Sequence, residues 1–200
     1  MNLGQSIRIP LKDGSDCHYL PEWLSANESK ELFERLLENV HWKHENIRIM
    51  GRWIPQPRLT AWYGDKDACY TYSGLKNEPL KWLPELHRIR TRLQEEFQTP
   101  FNSVLLNYYR DGSDSMGYHS DDEKELGETP VIASLSLGAS RRFLIRSRTS
   151  DNDSSHRIDL DTGSLLMMSG HMQTNYKHAL PKSKKVMSGR INLTYRFIVE

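Results

Sequence analysis

GRINLTYRFIV, residues 189–199, alternates strictly from Arg190 to Phe197. In an extended chain Ile191, Leu193, Tyr195 and Phe197 share one face; Arg190, Asn192, Thr194 and Arg196 share the other. The apolar face calls for a core beneath it. The polar face has two readings. It is a half-solvated outer surface, the commoner case, or the wall of a pocket for a small polyanion, because a guanidinium fork matches a carboxylate.

Working outward, the chain from Phe101 onward breaks into short apolar runs: 104–109, 131–137, 141–146, 158–160 and 165–168. Gly138, Asp151-Asn152-Asp153 and Gly163 punctuate them, as turns between strands do. Before residue 101 the period is helical. Ser25 and Glu28 have capping-box spacing ahead of Leu32, Phe33, Leu36 and Leu37, which predicts a helix over 25–40. Leu86, Ile89, Leu93 and Phe97 predict a second, opened by Pro84 and stopped by Pro100. Helices followed by many short strands point to a mainly β, α+β fold: an antiparallel sandwich or jelly roll with helices packed outside.

The chain has 200 residues, enough for one domain with a real core. Its two cysteines, Cys17 and Cys69, stand apart in no CxxC pair, which excludes a thiolate zinc site and a disulfide scaffold. No apolar run approaches the roughly 20 residues of a membrane span, and the N-terminus does not read as a signal peptide. The expected protein is soluble and intracellular, cytoplasmic if bacterial and nuclear if eukaryotic. Lys and Arg number 27 against 26 Asp and Glu, a net charge of +1. That excludes a bulk polyelectrolyte binder. It does not exclude DNA, because the charge is segregated. Residues 47–58, 141–148 and 177–196 hold only basic charge, and seven of the acids cluster in residues 111–128.

His119-Ser120-Asp121 puts an imidazole and a carboxylate two residues apart inside that acidic stretch. His178, just before the Arg-bearing strand, is the best third ligand. Two His and one carboxylate make the facial triad of non-heme Fe(II) oxygenases, which leaves positions open for co-substrate and O₂. The His-x-Asp step alone is weakly specific; the weight comes from order. Asn107-Tyr108-Tyr109 ends a strand before it, a lone His follows a strand-rich interval, and then comes the strand with two Arg.

In these segments the chain resembles the AlkB family of Fe(II)/2-oxoglutarate dioxygenases. The matching text is PRLTAWYGD (57–65), YTYSGL (70–75), LLNYYRDGSDSMGYHSDDEKEL (105–126), ASLSLGASRRFLIR (133–146), GSLLMMSG (163–170) and HALPKSKKVMSGRINLTYRF (178–197). The resemblance covers roughly residues 45 to 199 and looks closest to the branch acting on double-stranded DNA. It implies a double-stranded β-helix spanning one domain. Residues 1–45 would be a helical cover, 46–100 a nucleotide-recognition region and 101–200 the jelly-roll core. It implies Fe(II) held by His119, Asp121 and His178, with Arg196 beside them. Asn107, Tyr109, Arg190, Asn192, Thr194 and Arg196 would take 2-oxoglutarate. With O₂, the N-methyl group of a damaged base would leave as formaldehyde.

The implied partner is DNA, duplex favoured and single strands as the alternative, acted on by a monomer without a membrane. A damaged base must be flipped out of a duplex to reach buried iron, at a cost of roughly a few kcal/mol. Tyr72 would stack on it, with Tyr70 and Thr71 alongside. Met50, Gly51 and Arg52 match a flipping finger whose apolar tip wedges into the stack. Asp122 and Glu123 would favour a cationic lesion of the N1-methyladenine or N3-methylcytosine type. Lys182, Lys184 and Lys185, or Arg141, Arg142, Arg146 and Arg148, would contact phosphates. The competing expectations are the same chemistry on RNA or single strands, and a catalytically inactive binder of damaged nucleic acid.

Overall fold

The computed structural model describes residues 6–49, 51–72, 75–149 and 155–199, and for 47–49, 70–72 and 75–77 the backbone alone. In chain order the elements are β1 (Ile7–Arg8), β2 (Ser15–Leu20), α1 (Ala26–Asn39), β3 (Asn46–Ile49), β4 (Arg52–Pro55), β5 (Leu59–Gly64), β6 (Tyr70–Tyr72), β7 (Leu75–Asn77) and α2 (Pro84–Phe97). Then follow β8 (Ser103–Tyr109), β9 (Met116–His119), β10 (Ile132–Gly138), β11 (Arg141–Ser147), β12 (Ser155–Leu160), β13 (Leu165–Gly170), α3 (Met172–Asn175), β14 (Tyr176–Leu180) and β15 (Arg190–Arg196).

The strands form a jelly roll. A seven-stranded antiparallel sheet runs β1-β2-β13-β10-β15-β8-β5, and a four-stranded sheet runs β12-β11-β14-β9. Two further hairpins, β3-β4 and β6-β7, stand as separate two-stranded sheets. The helices cover the larger sheet. Ser25 caps α1 in the predicted reciprocal box with Glu28. Leu32 and Leu36 are buried, whereas Leu37 turns outward and is exposed. Leu86, Ile89, Leu93 and Phe97 all bury in the same core as Val104, Leu106, Leu193 and Tyr195. Each such side chain contributes about 2 kcal/mol of burial.

Three expectations change. Residues 1–45 are more than a helical cover, because β2 pairs with β13 over Leu165↔Leu20 to Gly170↔Ser15. β5 likewise extends the large sheet beyond β8. The last strand stops at Arg196, so Phe197 is exposed and Ile198 buries instead. Asn102 causes this. Its Nδ2 donates to the Ile198 carbonyl at 2.8 Å and its Oδ1 accepts from the Ile198 N–H at 2.7 Å, which breaks the alternation.

Candidate active site

The polar face of β15 is not solvated. Arg190, Asn192 and Thr194 are buried and Arg196 nearly so, because they face the space between the two sheets. Pairing with β8 sets Arg190 against Tyr109 and Asn192 against Asn107. Pairing with β10 sets Asn192 against Ser136. The side chains interlock. Asn192 Nδ2 donates to Ser134 Oγ at 2.8 Å, Thr194 Oγ1 donates to Asn192 Oδ1 at 3.0 Å, and Arg190 donates to Ser136 Oγ at 2.8 Å. Burial pushes the Arg190 guanidinium down to about 10, still charged at neutral pH. Burial also raises the Tyr109 hydroxyl, against the pull of Arg190, Arg58 and Arg141.

The facing sheet supplies the other half. β9 ends on His119, which pairs with His178 of β14, and Asp121 follows two residues on. His119, Asp121 and His178 each offer a ligand atom, all within 4.8 Å of one another. His119 Nδ1 lies 2.9 Å from the Gly117 carbonyl. A carbonyl only accepts, so Nδ1 carries a proton, and in the neutral ring the lone pair is then on Nε2. His178 is buried and stacked on Phe143 at 5.2 Å. Burial holds it down to about 4, so it is neutral at pH 7, as a ligand must be. Its Nε2 stands 3.7 Å from Asp121 Oδ2, too far for a hydrogen bond. The other Asp121 oxygen accepts from Arg196 at 2.5 Å. Burial alone would raise this carboxyl, but Arg196, His178 and His119 together hold it below the usual range. Gln173 Oε1 accepts from the Asp121 N–H at 3.0 Å.

The donor set fits a divalent cation of the iron type: neutral imidazole, ionised carboxylate and remaining open positions. The wall fits a dicarboxylate, since Nε of Arg190 and of Arg196 is buried without a partner among the described residues. A cavity of about 550 Å³ opens onto His119, Asp121 and Arg196 and is lined by Thr60, Trp62 and Leu105 among others. That is the size of a small-ligand pocket.

The expected substrate residues are dispersed. Glu123 lines the cavity, but Asp122 is bound to Arg148 at the surface. Gly51 (φ +79°) and Arg52 are exposed on the β3-β4 hairpin, whose flanks, Glu45 and Arg58, both line the cavity. Met50 and the side chains of Tyr70, Thr71 and Tyr72 lie outside the described residues. Arg141 is buried and donates to three backbone carbonyls, so it is closed to phosphate. Arg142 is paired with Asp159, and Arg146 lies 4.2 Å over the exposed Tyr118 ring.

Sequence reasoning missed Ser134, Ser136, Arg58 and Gln173. The two serines had a signal, polar residues at period two in an otherwise apolar run. Arg58 donates to Asn107 Oδ1 at 2.8 Å and shares an alternating face with Thr60 and Trp62. Gln173 carried no signal, since its role comes from the fold alone.

Residues 16–196 match the family model of the 2OG-Fe(II) oxygenase superfamily. The chain is 41% identical to alpha-ketoglutarate-dependent dioxygenase alkB homolog 3 of Rattus norvegicus over 91% of its own length and 63% of that protein. It is 40% identical to DNA oxidative demethylase ALKBH2 of Homo sapiens over 98% of its length and 78% of that protein. The solved structure of OsALKBH1 superposes with a TM-score of 0.65 over 94% of this chain and 100% of that one, at 19% identity, which speaks to the fold. A triad on one sheet, an arginine wall on the other and a relationship running nearly end to end place this chain in the 2OG-Fe(II) oxygenase superfamily and, within it, in the AlkB family.

Proposed function

We propose that this protein removes alkyl groups oxidatively from N-alkylated bases in DNA, of the N1-methyladenine and N3-methylcytosine type, as a single-domain Fe(II)/2-oxoglutarate dioxygenase. His119, Asp121 and His178 hold the metal. Bound iron supplies O₂ activation at the expense of the co-substrate, and the alkyl carbon leaves as formaldehyde. Arg190 and Tyr109 take the far carboxylate of 2-oxoglutarate, and Asn107, Asn192 and Thr194 complete its wall. Arg196 holds Asp121 and closes the wall on the metal side. The observation that carries this reading is the His119-Asp121-His178 cluster, two members of which open, with Arg196, onto a cavity sized for a base.

The exposed hairpin rising from the cavity rim favours duplex DNA. Met50, Gly51 and Arg52 act as the flipping finger, and Tyr72, Tyr70 and Thr71 receive the base. Glu123 faces the base; Asp122 is tied to Arg148 beside it. The protein works as an intracellular monomer. Loading with Fe(II) and 2-oxoglutarate without oxygen, then admitting air, tests this. Formaldehyde release is expected from methylated oligonucleotides, higher on duplexes. No formaldehyde and no succinate would overturn it in favour of an inactive binder. A reversed strand preference would move the substrate to single strands or RNA.

A further inference from the structure

We infer that Arg141 is a positioning residue, setting the co-substrate wall and the two metal-bearing strands in one geometry; this rests on the function proposed above. Arg141 opens β11 and is 2% exposed. Its Nη1 donates to the Asp111 carbonyl at 3.0 Å, and its Nη2 donates to the carbonyls of Asp114 and Pro181, each at 2.8 Å. The first two lie in the link between β8, which ends on Tyr109, and β9, which ends on His119. The third follows directly on β14, which carries His178. One guanidinium thus ties the segment between Tyr109 and His119 to the end of the His178 strand.

Strand pairing does not set this relation by itself. The β9-β14 ladder shifts register between His178 and Leu180, next to the carbonyl that Arg141 takes. The same two loops are held by Gly112 N–H on the Val186 carbonyl at 2.9 Å and Ser183 N–H on the Gly112 carbonyl at 2.8 Å. The guanidinium also lies 5.7 Å from the Tyr109 ring centre, with Arg190 5.5 Å from it. Two buried cations therefore fix one phenol, and both favour an anion beside it. A lysine here would keep the charge but lose the planar fork that reaches diverging carbonyls.

Calorimetric titration of 2-oxoglutarate into the Mn(II)-loaded protein, which cannot turn over, tests this. Arg141→Met is expected to weaken binding by about 10-fold or more and Arg141→Lys by about 3-fold. Leu36→Ala, a core truncation under α1, serves as the control for general destabilisation, with Tm measured on all variants. It is expected to lower Tm and leave 2-oxoglutarate affinity unchanged. The inference falls if Arg141→Lys and Arg141→Met bind as wild type, or if Leu36→Ala loses affinity to the same extent at equal Tm. Should Arg141→Met not fold, Arg141→Lys against Leu36→Ala decides alone. If wild-type protein binds no 2-oxoglutarate, the proposed function itself falls.

Discussion

The wall inside the jelly roll and the hairpin at its mouth treat polar groups in opposite ways. On β15 and β10 the polar side chains are buried and hydrogen-bonded to one another across fixed register, and Asn107 of β8 is buried and held by Arg58. On β4 every residue is exposed, including Trp53 at 69%. An isolated two-stranded ribbon gains little stability by itself and has room to adapt to a partner. The difference teaches where precision is stored. Iron and co-substrate chemistry needs atoms held to fractions of an ångström, and interlocked buried groups provide that. On the function proposed above, a duplex of any sequence needs surface and charge, and an exposed ribbon offers those.

The contrast is most sharply broken at the metal. His119 is only partly buried, so His119→Ala is expected to fold. It should cost about 100-fold or more in formaldehyde release, and Mn(II) binding should weaken in step. Unchanged turnover would separate the triad from the chemistry. Next in size is Arg190→Met, which removes a buried cation and leaves Ser136 without its donor. The expected result is a KM for 2-oxoglutarate raised by about 10-fold to 100-fold, with a smaller change in kcat. An unchanged KM would put the far carboxylate elsewhere.

On the hairpin the same kind of truncation should act differently. Trp53→Ala removes a largely exposed indole, so Tm should hold. Binding to methylated duplex should weaken by about 10-fold, the scale of one lost base-stacking contact, with turnover of a free methylated nucleoside unchanged. Equal loss on both substrates would place Trp53 in the site rather than at the DNA.

The wall was far easier to read from the sequence than the hairpin, for physical reasons. A buried strand with one polar face must alternate, and Arg190, Asn192, Thr194 and Arg196 do. Ser25 with Glu28, and Leu86 through Phe97, work through neighbours within a turn, so local spacing exposes them. β2 escaped notice because its partner β13 lies about 150 residues away and nothing local marks the pairing. Arg141 was read as a surface cation because a phosphate contact and a buried staple use the same residue in the same run. Only tertiary packing separates it from Arg142, one position on and paired at the surface.

The smallest expected effect tests the border between the two regions. Asp122 and Glu123 are adjacent and chemically alike, yet the fold divides them. Asp122 is neutralised by Arg148, which also donates to Ser120 Oγ at 2.8 Å. Glu123 lines the cavity, with its carboxylate 3.9 Å from Arg196. Only the second can lend negative potential to a base in the cavity. An exposed carboxylate near a cationic base contributes about 1 kcal/mol, or roughly 5-fold in relative turnover. Glu123→Gln should therefore lower the ratio of cationic to neutral lesion turnover by about that factor. Asp122→Asn should leave the ratio in place, because its charge is already spent on Arg148. If the two variants shift the ratio equally, the acidic loop acts as a diffuse field, and the placement of single carboxylates at the cavity does not set lesion choice.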